Sequence, residues 1–381
     1  EWKDGIVSKL NKGTEFLCKK NNVTIVKGTA VFENSNRLKI SNGKNSSYID
    51  FKKAIIATGS KPVELPNFKF DDKKIISSRG ALYLKEIPEN LVVIGGGYIG
   101  LEIGTIYAKL GSKVSIVEME DQILPGFDKN VVNVIQKNLE KLDVNIYVNA
   151  KADKIENNKI AIDSKEKGKV LLDADKVLVA VGRHPNTKNL GLENTKVKLN
   201  EKEFVEVDKN LMTDDENIYA IGDVSVGPML AHKASMQGKI AAGIIAGEKV
   251  SYDNFVVPAV VFTDPEIASV GLSEDEAKDK GIKVKTGKFP FSVSSRAMTR
   301  EETQGFVKVI ANEADDKIIG VQIVGSDASD LISEASLAIK MNSTIDDLAL
   351  TIHPHPTLSE SLMEASEATM GKAIHILKMK L

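Results

Sequence analysis

Six consecutive residues have the types and spacing of a phosphate-binding turn. The run Gly95-Gly96-Gly97-Tyr98-Ile99-Gly100 fits G-x-G-x-x-G, follows an apolar strand pattern and opens a helical one. In such a turn the first glycine permits the tight bend, the second lets the backbone approach a pyrophosphate, and the third lets the helix pack against the strand. The free N–H groups at the helix N-terminus then face the phosphates. The pattern therefore predicts dinucleotide binding.

An acidic residue supports the same interpretation. Glu118 ends the next predicted strand, 23 residues after Gly95. This is close to the spacing of about 20 residues at which an acid binds a ribose 2′-hydroxyl. A carboxylate there repels a 2′-phosphate, so the pattern favours NAD over NADP. The alternative is a glycine-rich helix start without a ligand. Glu102 is expected in the first turn of the helix, where its charge favours the dipole or its carboxylate lies near the nicotinamide.

Other predicted strands also end in small or acidic residues. Asp223, Thr58-Gly59-Ser60 and Gly182 each follow an apolar run. Ligands of open α/β sheets bind outside the carboxyl ends of the strands, and a carboxylate there can accept hydrogen bonds from sugar or ribityl hydroxyls. A strand-ending Asx turn is the alternative for Asp223. Three such ends favour an enzyme with more than one nucleotide cofactor.

Two of the five histidines lie close together near the C-terminus, in His353-Pro354-His355-Pro356-Thr357-Leu358-Ser359-Glu360. Glu360 lies one turn into the next predicted helix, where its carboxylate can reach the His355 ring. Such a contact fixes the tautomer and makes the other ring nitrogen a useful general base. The alternative is a capping box in which Glu360 bonds to the Thr357 backbone. A metal site is less favoured, because no further His or Cys cluster supports it.

The elements that must position these residues follow an α/β pattern. From residue 88, a strand at 91–94, a helix at 95–110, a strand at 114–118 and a helix at 131–142 alternate. This order implies a parallel sheet with a right-handed connection. The remaining predictions are a helix over 1–20, strands at 23–26, 29–32, 37–40, 48–51, 54–57, 177–181 and 218–221, and helices at 233–246, 274–280, 327–342 and after Pro356.

Composition excludes several classes of protein. Hydrophobic residues make up 42% and charged residues 27% of the 381 residues, which is typical of a globular protein. The net charge of -2 gives no basic excess for nucleic acid. No apolar run approaches the roughly 20 residues of a membrane helix. Cys18 is the single cysteine, so no intrachain disulfide can form, and a cytoplasmic location is expected.

Taken together, the segments resemble the pyridine nucleotide–disulfide oxidoreductase family over essentially the whole sequence. The resemblance rests on Ala57 to Ser60, Val93 to Glu102, Gly182-Arg183 with Thr187 to Gly191, Tyr219 to Asp223, Met229 to His232, Phe262 to Glu266, Phe289 to Ser292, Ser295 to Ala297 and His353 to Glu360. It implies an α/β fold with two Rossmann-like nucleotide-binding domains, the FAD one incomplete and the NAD one complete, and a C-terminal α+β dimerisation domain. The implied bounds are 1–87 for the C-terminal part of the first FAD-domain segment, 88–182 for the NAD-binding domain, 183–256 for the returning FAD-domain segment and 257–381 for the dimerisation domain.

The resemblance also implies roles for individual residues. NAD would lie on Gly95, Gly96, Gly97, Tyr98, Ile99, Gly100, Leu101, Glu102 and Glu118, with Gly182 near the nicotinamide end. FAD would lie on Thr58, Gly59, Ser60, Asp223, Met229, Leu230, Ala231 and His232. His355 would be the base for a dithiol and Glu360 would orient it. In this family the histidine serves the active site of the partner subunit, so a homodimer is implied.

One part of the family pattern has no match. The family begins with an FAD-binding strand, a first G-x-G-x-x-G and a C-x4-C redox pair, and the 381 residues contain none of these. The expectation is a sequence that begins part of the way into the FAD domain. A shortened chain, a disordered segment left out of the sequence and a natural remnant all stay open as explanations.

The implied activity is oxidation of protein-bound dihydrolipoamide to lipoamide, with NAD reduced through a redox disulfide and FAD. The implied partner is the lipoyl-bearing acyltransferase of a 2-oxoacid dehydrogenase complex, in the cytoplasm or, as an alternative, the mitochondrial matrix. One alternative is a glutathione-reductase-like enzyme, which Glu118 disfavours if the reductant is NADPH. The other is a non-catalytic NAD-binding and dimerisation fragment, which the missing C-x4-C pair favours.

Overall fold

The computed structural model describes residues 1–157, 159–253 and 256–377. The helices in these ranges are α1 (Trp2–Lys20), α2 (Ser78–Leu82), α3 (Tyr98–Lys109), α4 (Lys129–Lys141), α5 (Ala231–Ile245), α6 (Glu274–Asp279), α7 (Ser295–Thr299), α8 (Ala328–Lys340), α9 (Ile345–Ala349) and α10 (Glu360–Thr369). The strands are β1 (Thr29–Asn34), β2 (Arg37–Asn42), β3 (Asn45–Asp50), β4 (Ala54–Ile56), β5 (Ser60–Pro62), β6 (Ile75–Ile76), β7 (Asn90–Ile94), β8 (Lys113–Val117), β9 (Asn145–Tyr147), β10 (Ala150–Glu156), β11 (Lys159–Ser164), β12 (Gly168–Asp173), β13 (Lys176–Val179), β14 (Arg183–Pro185), β15 (Ile218–Ala220), β16 (Ala259–Val261), β17 (Glu266–Gly271), β18 (Val284–Pro290), β19 (Phe306–Asn312) and β20 (Ile318–Gly325).

The chain divides into two compact units. Unit 1 consists of Glu1–Gly59 and Pro185–Tyr252, and unit 2 consists of Ser60–His184 and Asp253–Leu381. Among the residues described, none of the helices combines the length and the apolar content needed to cross a bilayer.

Unit 2 contains a five-stranded parallel sheet in the order β6-β13-β7-β8-β9. The central strand β7 is an unbroken apolar run whose Leu91, Val92 and Val93 are fully buried, as expected for a parallel strand covered on both faces. Val93 packs on the side of α3 and α4, whereas Val92 packs on the side of the antiparallel sheet β10-β11-β12. The predicted strand–helix alternation from residue 88 is therefore confirmed.

Unit 2 also contains a five-stranded antiparallel sheet in the order β16-β17-β20-β19-β18. Helices α8 and α10 pack on it through Ile332, Ala335, Leu362 and other buried apolar residues. The backbone of α10 comes so close to β18 that a Cβ on Gly287 would lie 2.1 Å from the Ala365 carbonyl oxygen. Only glycine allows this approach, which fixes the helix that follows the His-Pro segment firmly on the sheet.

A buried ion pair links the two sheets of unit 2. Lys308 Nζ on β19 lies 2.6 Å from Asp128 Oδ2 and also pairs with Glu274, and its side chain is only 6% exposed. Burial lowers the pKa of Lys308, but the hydrogen bonds to both carboxylates outweigh it and hold the pKa above the usual value. Asp128 also caps α4, because its Oδ1 accepts from the Asn130 N–H at 3.0 Å. The start of α4 is thus tied to strand β19.

Unit 1 contains the antiparallel sheet β1-β2-β3 and the parallel pair β4-β15. Its core is formed by buried side chains from both sequence segments, including Phe32, Ile56, Val205 and Ile218. No residue of α1 is buried. The predicted strand at 23–26 was wrong: the Val23 N–H donates to the Cys18 carbonyl at 2.9 Å and closes the end of α1, and its apolar side chain is half exposed.

Candidate active site

The glycine turn joins β7 to α3 at the carboxyl edge of the parallel sheet. Gly95 has a φ of +107°, and a Cβ there would lie 2.5 Å from the Ala180 carbonyl oxygen. A Cβ on Gly100 would lie 2.1 Å from the Gly95 carbonyl oxygen. A side chain at either position would therefore collide with backbone, so the tight turn and the close helix–strand packing both require glycine.

Gly97 is constrained by no such neighbour. It has an extended conformation immediately before α3 (φ −74°, ψ 178°), and a Cβ there would find no atom within 4 Å. The residue therefore leaves space directly in front of the first N–H groups of a twelve-residue helix. This open cradle at a helix N-terminus fits the pyrophosphate of a dinucleotide.

Glu118 fastens the turn to the end of β8. Its Oε2 accepts from the Gly96 N–H at 2.6 Å and its Oε1 accepts from the Glu120 N–H at 2.9 Å. The residue is 9% exposed. Each carboxylate oxygen has a second lone pair, so the group can still accept from ribose hydroxyls. Gly182, predicted near the nicotinamide end, follows β13, the neighbouring strand on the other side of β7; its φ is +121° and its Cβ position is open.

The other residues of the predicted fingerprint differ in how they could contact a cofactor. Leu101 is fully buried and Tyr98 is 40% exposed, while Ile99 packs against the α3 side of the sheet. The expected position of Glu102 in the first turn was wrong, because α3 begins at Tyr98 rather than Gly95. Glu102 Oε1 accepts from the Phe262 N–H at 2.9 Å. Burial raises the pKa of Glu102, and the hydrogen bond from Phe262 opposes this rise.

The predicted flavin residues of unit 1 lie at the ends of two neighbouring strands. Strands β4 and β15 pair in parallel, with Ile56 opposite Ala220, so Thr58-Gly59 and Gly222-Asp223 follow adjacent strand ends. Gly59 has a φ of +72°, and its Cβ position is open. The Thr58 hydroxyl donates to the carbonyl of Asn186, whose own N–H donates to the Gly59 carbonyl, both at 2.8 Å. Sequence reasoning missed Asn186, which lies 128 residues from Thr58.

Met229 to His232 lead into the long helix α5. In the part of the chain that the structure describes, no side chain caps this helix, and Ala231 and His232 at its start are exposed. An uncapped N-terminus and a carboxylate at an adjacent strand end fit a phosphate and a polyhydroxyl chain, which are the parts of FAD outside its ring system.

Two buried polar side chains of α5 hold the turn that carries Asp223. The Gly222 N–H donates to Gln237 Oε1 at 2.8 Å, and Lys233 Nζ donates to the Gly222 carbonyl at 3.2 Å. Burial lowers the pKa of Lys233, and the Asp223 charge opposes this. Sequence reasoning did not find either residue. Ser60, the remaining predicted flavin residue, belongs to unit 2, where its hydroxyl accepts from Arg183 Nε at 2.8 Å.

The C-terminal histidine segment lies between α9 and α10 in unit 2. His355 Nδ1 lies 2.9 Å from Glu360 Oε1, and the His355 side chain is 71% exposed. Glu360 Oε2 accepts from the Thr357 N–H at 2.8 Å. Both interpretations of Glu360 therefore hold at once, because each carboxylate oxygen makes one of the two contacts. An ionised carboxylate can only accept, so Nδ1 carries the proton and Nε2 is left as a basic lone pair.

The other histidine of this segment is buried and paired. His353 Nδ1 lies 2.8 Å from the Thr351 carbonyl oxygen, and Nε2 lies 2.8 Å from Glu334 Oε1 of helix α8. Its side chain is 4% exposed. Sequence reasoning gave His353 no separate role, because its partner lies on an earlier helix that the local pattern does not reveal.

Sequence comparison matches two family models to this chain. Residues 3–238 match the pyridine nucleotide-disulphide oxidoreductase model, and residues 257–366 match the dimerisation domain of the same family. Among curated proteins, the chain is 50% identical to a dihydrolipoyl dehydrogenase of Geobacillus stearothermophilus over 380 residues, which span 99% of this chain and 81% of the relative. It is 48% identical to the dihydrolipoyl dehydrogenase of Bacillus subtilis over 382 residues, with the same coverage.

Solved structures agree with the sequence matches. A copper complex of the HOCl-induced flavoprotein disulfide reductase RclA from Escherichia coli superposes with a TM-score of 0.88 and 30% identity, covering 95% of this chain and 83% of that one. LpdA from Mycobacterium tuberculosis gives a TM-score of 0.88 and 28% identity, covering 95% and 81%.

Proposed function

Because the chain belongs to the pyridine nucleotide-disulphide oxidoreductase family, we propose that it oxidises protein-bound dihydrolipoamide to lipoamide and reduces NAD, as a dihydrolipoyl dehydrogenase. The observation that carries the proposal is the contact between His355 Nδ1 and Glu360 Oε1 at 2.9 Å. It gives an exposed ring nitrogen the basicity and orientation needed to take a proton from a thiol. Names of relatives at 48–50% identity support the same substrate.

The residues of this chain would act as follows. His355 Nε2 accepts the proton of a dihydrolipoyl thiol, because the thiolate and not the thiol is the nucleophile in thiol–disulfide exchange. Glu360 holds the ring in the tautomer that leaves Nε2 unprotonated and stabilises the imidazolium that forms. The Thr357 N–H holds the second oxygen of Glu360 at 2.8 Å, so the carboxylate cannot rotate away from the ring.

Two cofactors complete the proposed reaction. Gly95 to Glu102, Glu118 and Gly182 would hold NAD, and Thr58, Gly59, Ser60, Asp223 and Met229 to His232 would hold FAD. When bound, these groups supply the two-electron and hydride transfer that no side chain of the chain can perform. The chain's own contribution is to place N–H groups at the phosphates and carboxylates at the sugar hydroxyls.

The partners and organisation are part of the proposal. The match to the family's dimerisation domain supports a homodimer, in which His355 would serve the active site of the partner subunit. The lipoyl-bearing acyltransferase of a 2-oxoacid dehydrogenase complex is the proposed substrate carrier, in the cytoplasm. The proposed domain bounds are 1–87, 88–182, 183–256 and 257–381.

The test is an assay on holoenzyme from the complete coding region, since the relay needs two redox cysteines and the 381 residues include only Cys18. Dihydrolipoamide should reduce NAD, and NADP should be a poor replacement. His355→Gln should lower this turnover about 100-fold or more while NADH oxidation by ferricyanide, which needs no thiol step, stays unchanged. Turnover of glutathione disulfide with NADPH in place of dihydrolipoamide would contradict the proposal, as would a colourless, inactive protein that binds only NAD.

A further inference from the structure

Both ring nitrogens of His353 face atoms that can only accept. The Thr351 carbonyl oxygen lies 2.8 Å from Nδ1, and Glu334 Oε1 lies 2.8 Å from Nε2. A neutral imidazole has one donor and one acceptor nitrogen, whereas an imidazolium has two donors. With a carbonyl on one side and a carboxylate on the other, both contacts are satisfied only when both nitrogens carry a proton.

This bridge joins the histidine segment to a helix that makes no other use of Glu334. Thr351 and His353 precede the exposed His355, whereas Glu334 belongs to α8, which packs on the antiparallel sheet. The His353 side chain is 4% exposed and that of Glu334 is 34% exposed. Because the neighbouring Ile352 is 94% exposed, the His353 ring is the group that anchors this part of the segment to the unit.

We propose that His353 is a positioning residue: an imidazolium held between Thr351 and Glu334 that fixes the segment carrying His355, so that loss of its proton slows the thiol step at alkaline pH. The inference rests on the function proposed above, because it concerns how the base of that reaction is held. His353 itself touches neither substrate nor cofactor.

The charges around His353 agree with this assignment. Its hydrogen bond to Glu334 raises its pKa above the usual value; burial opposes the rise, and the Thr351 carbonyl and the charges of Glu334 and Glu360 reinforce it. A raised pKa means that the bridge is fully stabilising below about pH 6.5, the value of a free histidine. The stabilisation is lost as the pH rises through the folded-state pKa. His355 must be neutral to act, so His353 would set the alkaline limb of the rate profile and His355 the acidic limb.

The decisive variant is Glu334→Gln, studied in the holoenzyme. The new amide can donate to a neutral His353 ring, whose Nδ1–H still donates to Thr351, so the bridge persists without a titrating proton. The dihydrolipoamide rate at neutral pH should stay within about twofold of the wild type, and the alkaline limb should disappear. His353→Ala removes the bridge, and because a misplaced group costs up to about 100-fold, it should lower kcat roughly 10- to 100-fold without changing ferricyanide reduction by NADH.

Asp330→Asn is the matched control, since Asp330 is an exposed carboxylate on the same helix; it should leave the profile unchanged. Nitrogen NMR of the histidine rings gives a readout independent of activity. At neutral pH one ring of the wild type should show both nitrogens protonated, and Glu334→Gln should convert that ring to the neutral form.

The two proposals fail in different ways. A wild-type holoenzyme that reduces ferricyanide but does not oxidise dihydrolipoamide overturns the proposed function and the positioning role with it. Normal wild-type turnover with an alkaline limb that Glu334→Gln leaves in place, or a neutral His353 ring at neutral pH, overturns the positioning role alone.

Discussion

At the glycine turn the backbone presents the chemistry, whereas at the histidine segment the side chains present it. Gly95 and Gly100 work because they lack side chains, and a Cβ at either would collide with backbone at 2.5 Å or less. His355 is 71% exposed and is held through Glu360. The first site is fixed by excluded volume and the second by a short series of hydrogen bonds.

This difference decides how each site should respond to mutation. A change at the turn alters either packing or access, depending on what surrounds the glycine. A change in the histidine segment should alter rate and pH dependence while the fold stays intact, because α10 is clamped to β18 at Gly287 independently of the dyad. Variants at both sites can therefore break the comparison or sharpen it.

The largest effect is expected from Gly100→Ala. Its Cβ would lie 2.1 Å from the Gly95 carbonyl oxygen and 3.0 Å from Val93 Cγ1, so helix and strand must separate. We expect a loss of about 3 kcal/mol in the free energy of unfolding, measured by urea denaturation of the holoenzyme. An unchanged midpoint would mean that the turn is not fixed by excluded volume.

Glu360→Gln should have the next largest effect, on rate rather than stability. An amide can accept with one oxygen only, so it cannot serve both the His355 ring and the Thr357 N–H as the carboxylate does. We expect kcat for dihydrolipoamide to fall roughly 10- to 100-fold, with ferricyanide reduction and the unfolding midpoint unchanged. Comparable losses in both activities would show that the segment also shapes the fold.

Gly97→Ala tests the turn without disturbing its packing. The added methyl group meets no atom within 4 Å, so stability should match the wild type. It occupies the space in front of α3, and NADH affinity should fall about tenfold, equivalent to about 1.4 kcal/mol. Fluorescence titration of NADH measures this, with Gly100→Ala as the contrasting variant. Unchanged affinity together with unchanged stability would remove the phosphate from this position.

The smallest effect is expected from Thr357→Val. The Thr357 hydroxyl donates to the Pro354 carbonyl at 2.8 Å and lies 2.9 Å from the Ser359 hydroxyl, but water can replace it at this partly exposed site. The backbone N–H that holds Glu360 is retained. We expect a loss of about 0.5 kcal/mol in thermal unfolding and a kcat within twofold of the wild type. A larger fall in kcat would place the hydroxyl among the groups that orient the dyad.

The sequence predicted the turn well because its constraints are local. Positive φ at Gly95 and close approach at Gly100 each leave a glycine at a fixed spacing, and Glu118 follows from the length of one helix and one strand. The start of α3 could not be read in the same way. Gly95 is left-handed and Gly97 is extended, so the helix begins three residues later than predicted and Glu102 moves out of its first turn.

Partners distant in sequence are what the pattern could not supply. Asn186 contacts Thr58 across 128 residues, Gln237 contacts Gly222 across 15, and Glu334 contacts His353 across 19. None of these pairs has a diagnostic spacing, because tertiary packing alone brings them together. The residues that could touch ligands were predictable, and those that hold them in place were not.

The double use of Glu118 has a consequence for the kinetics of cofactor exchange. Its carboxylate already secures Gly96 and Glu120 at 2.6 and 2.9 Å before any ribose arrives. The binding surface is thus moulded in advance, and little ordering entropy remains to be lost on association. Adenine dinucleotide analogues that differ only in their ribose should arrive at similar rates and differ in how long they stay.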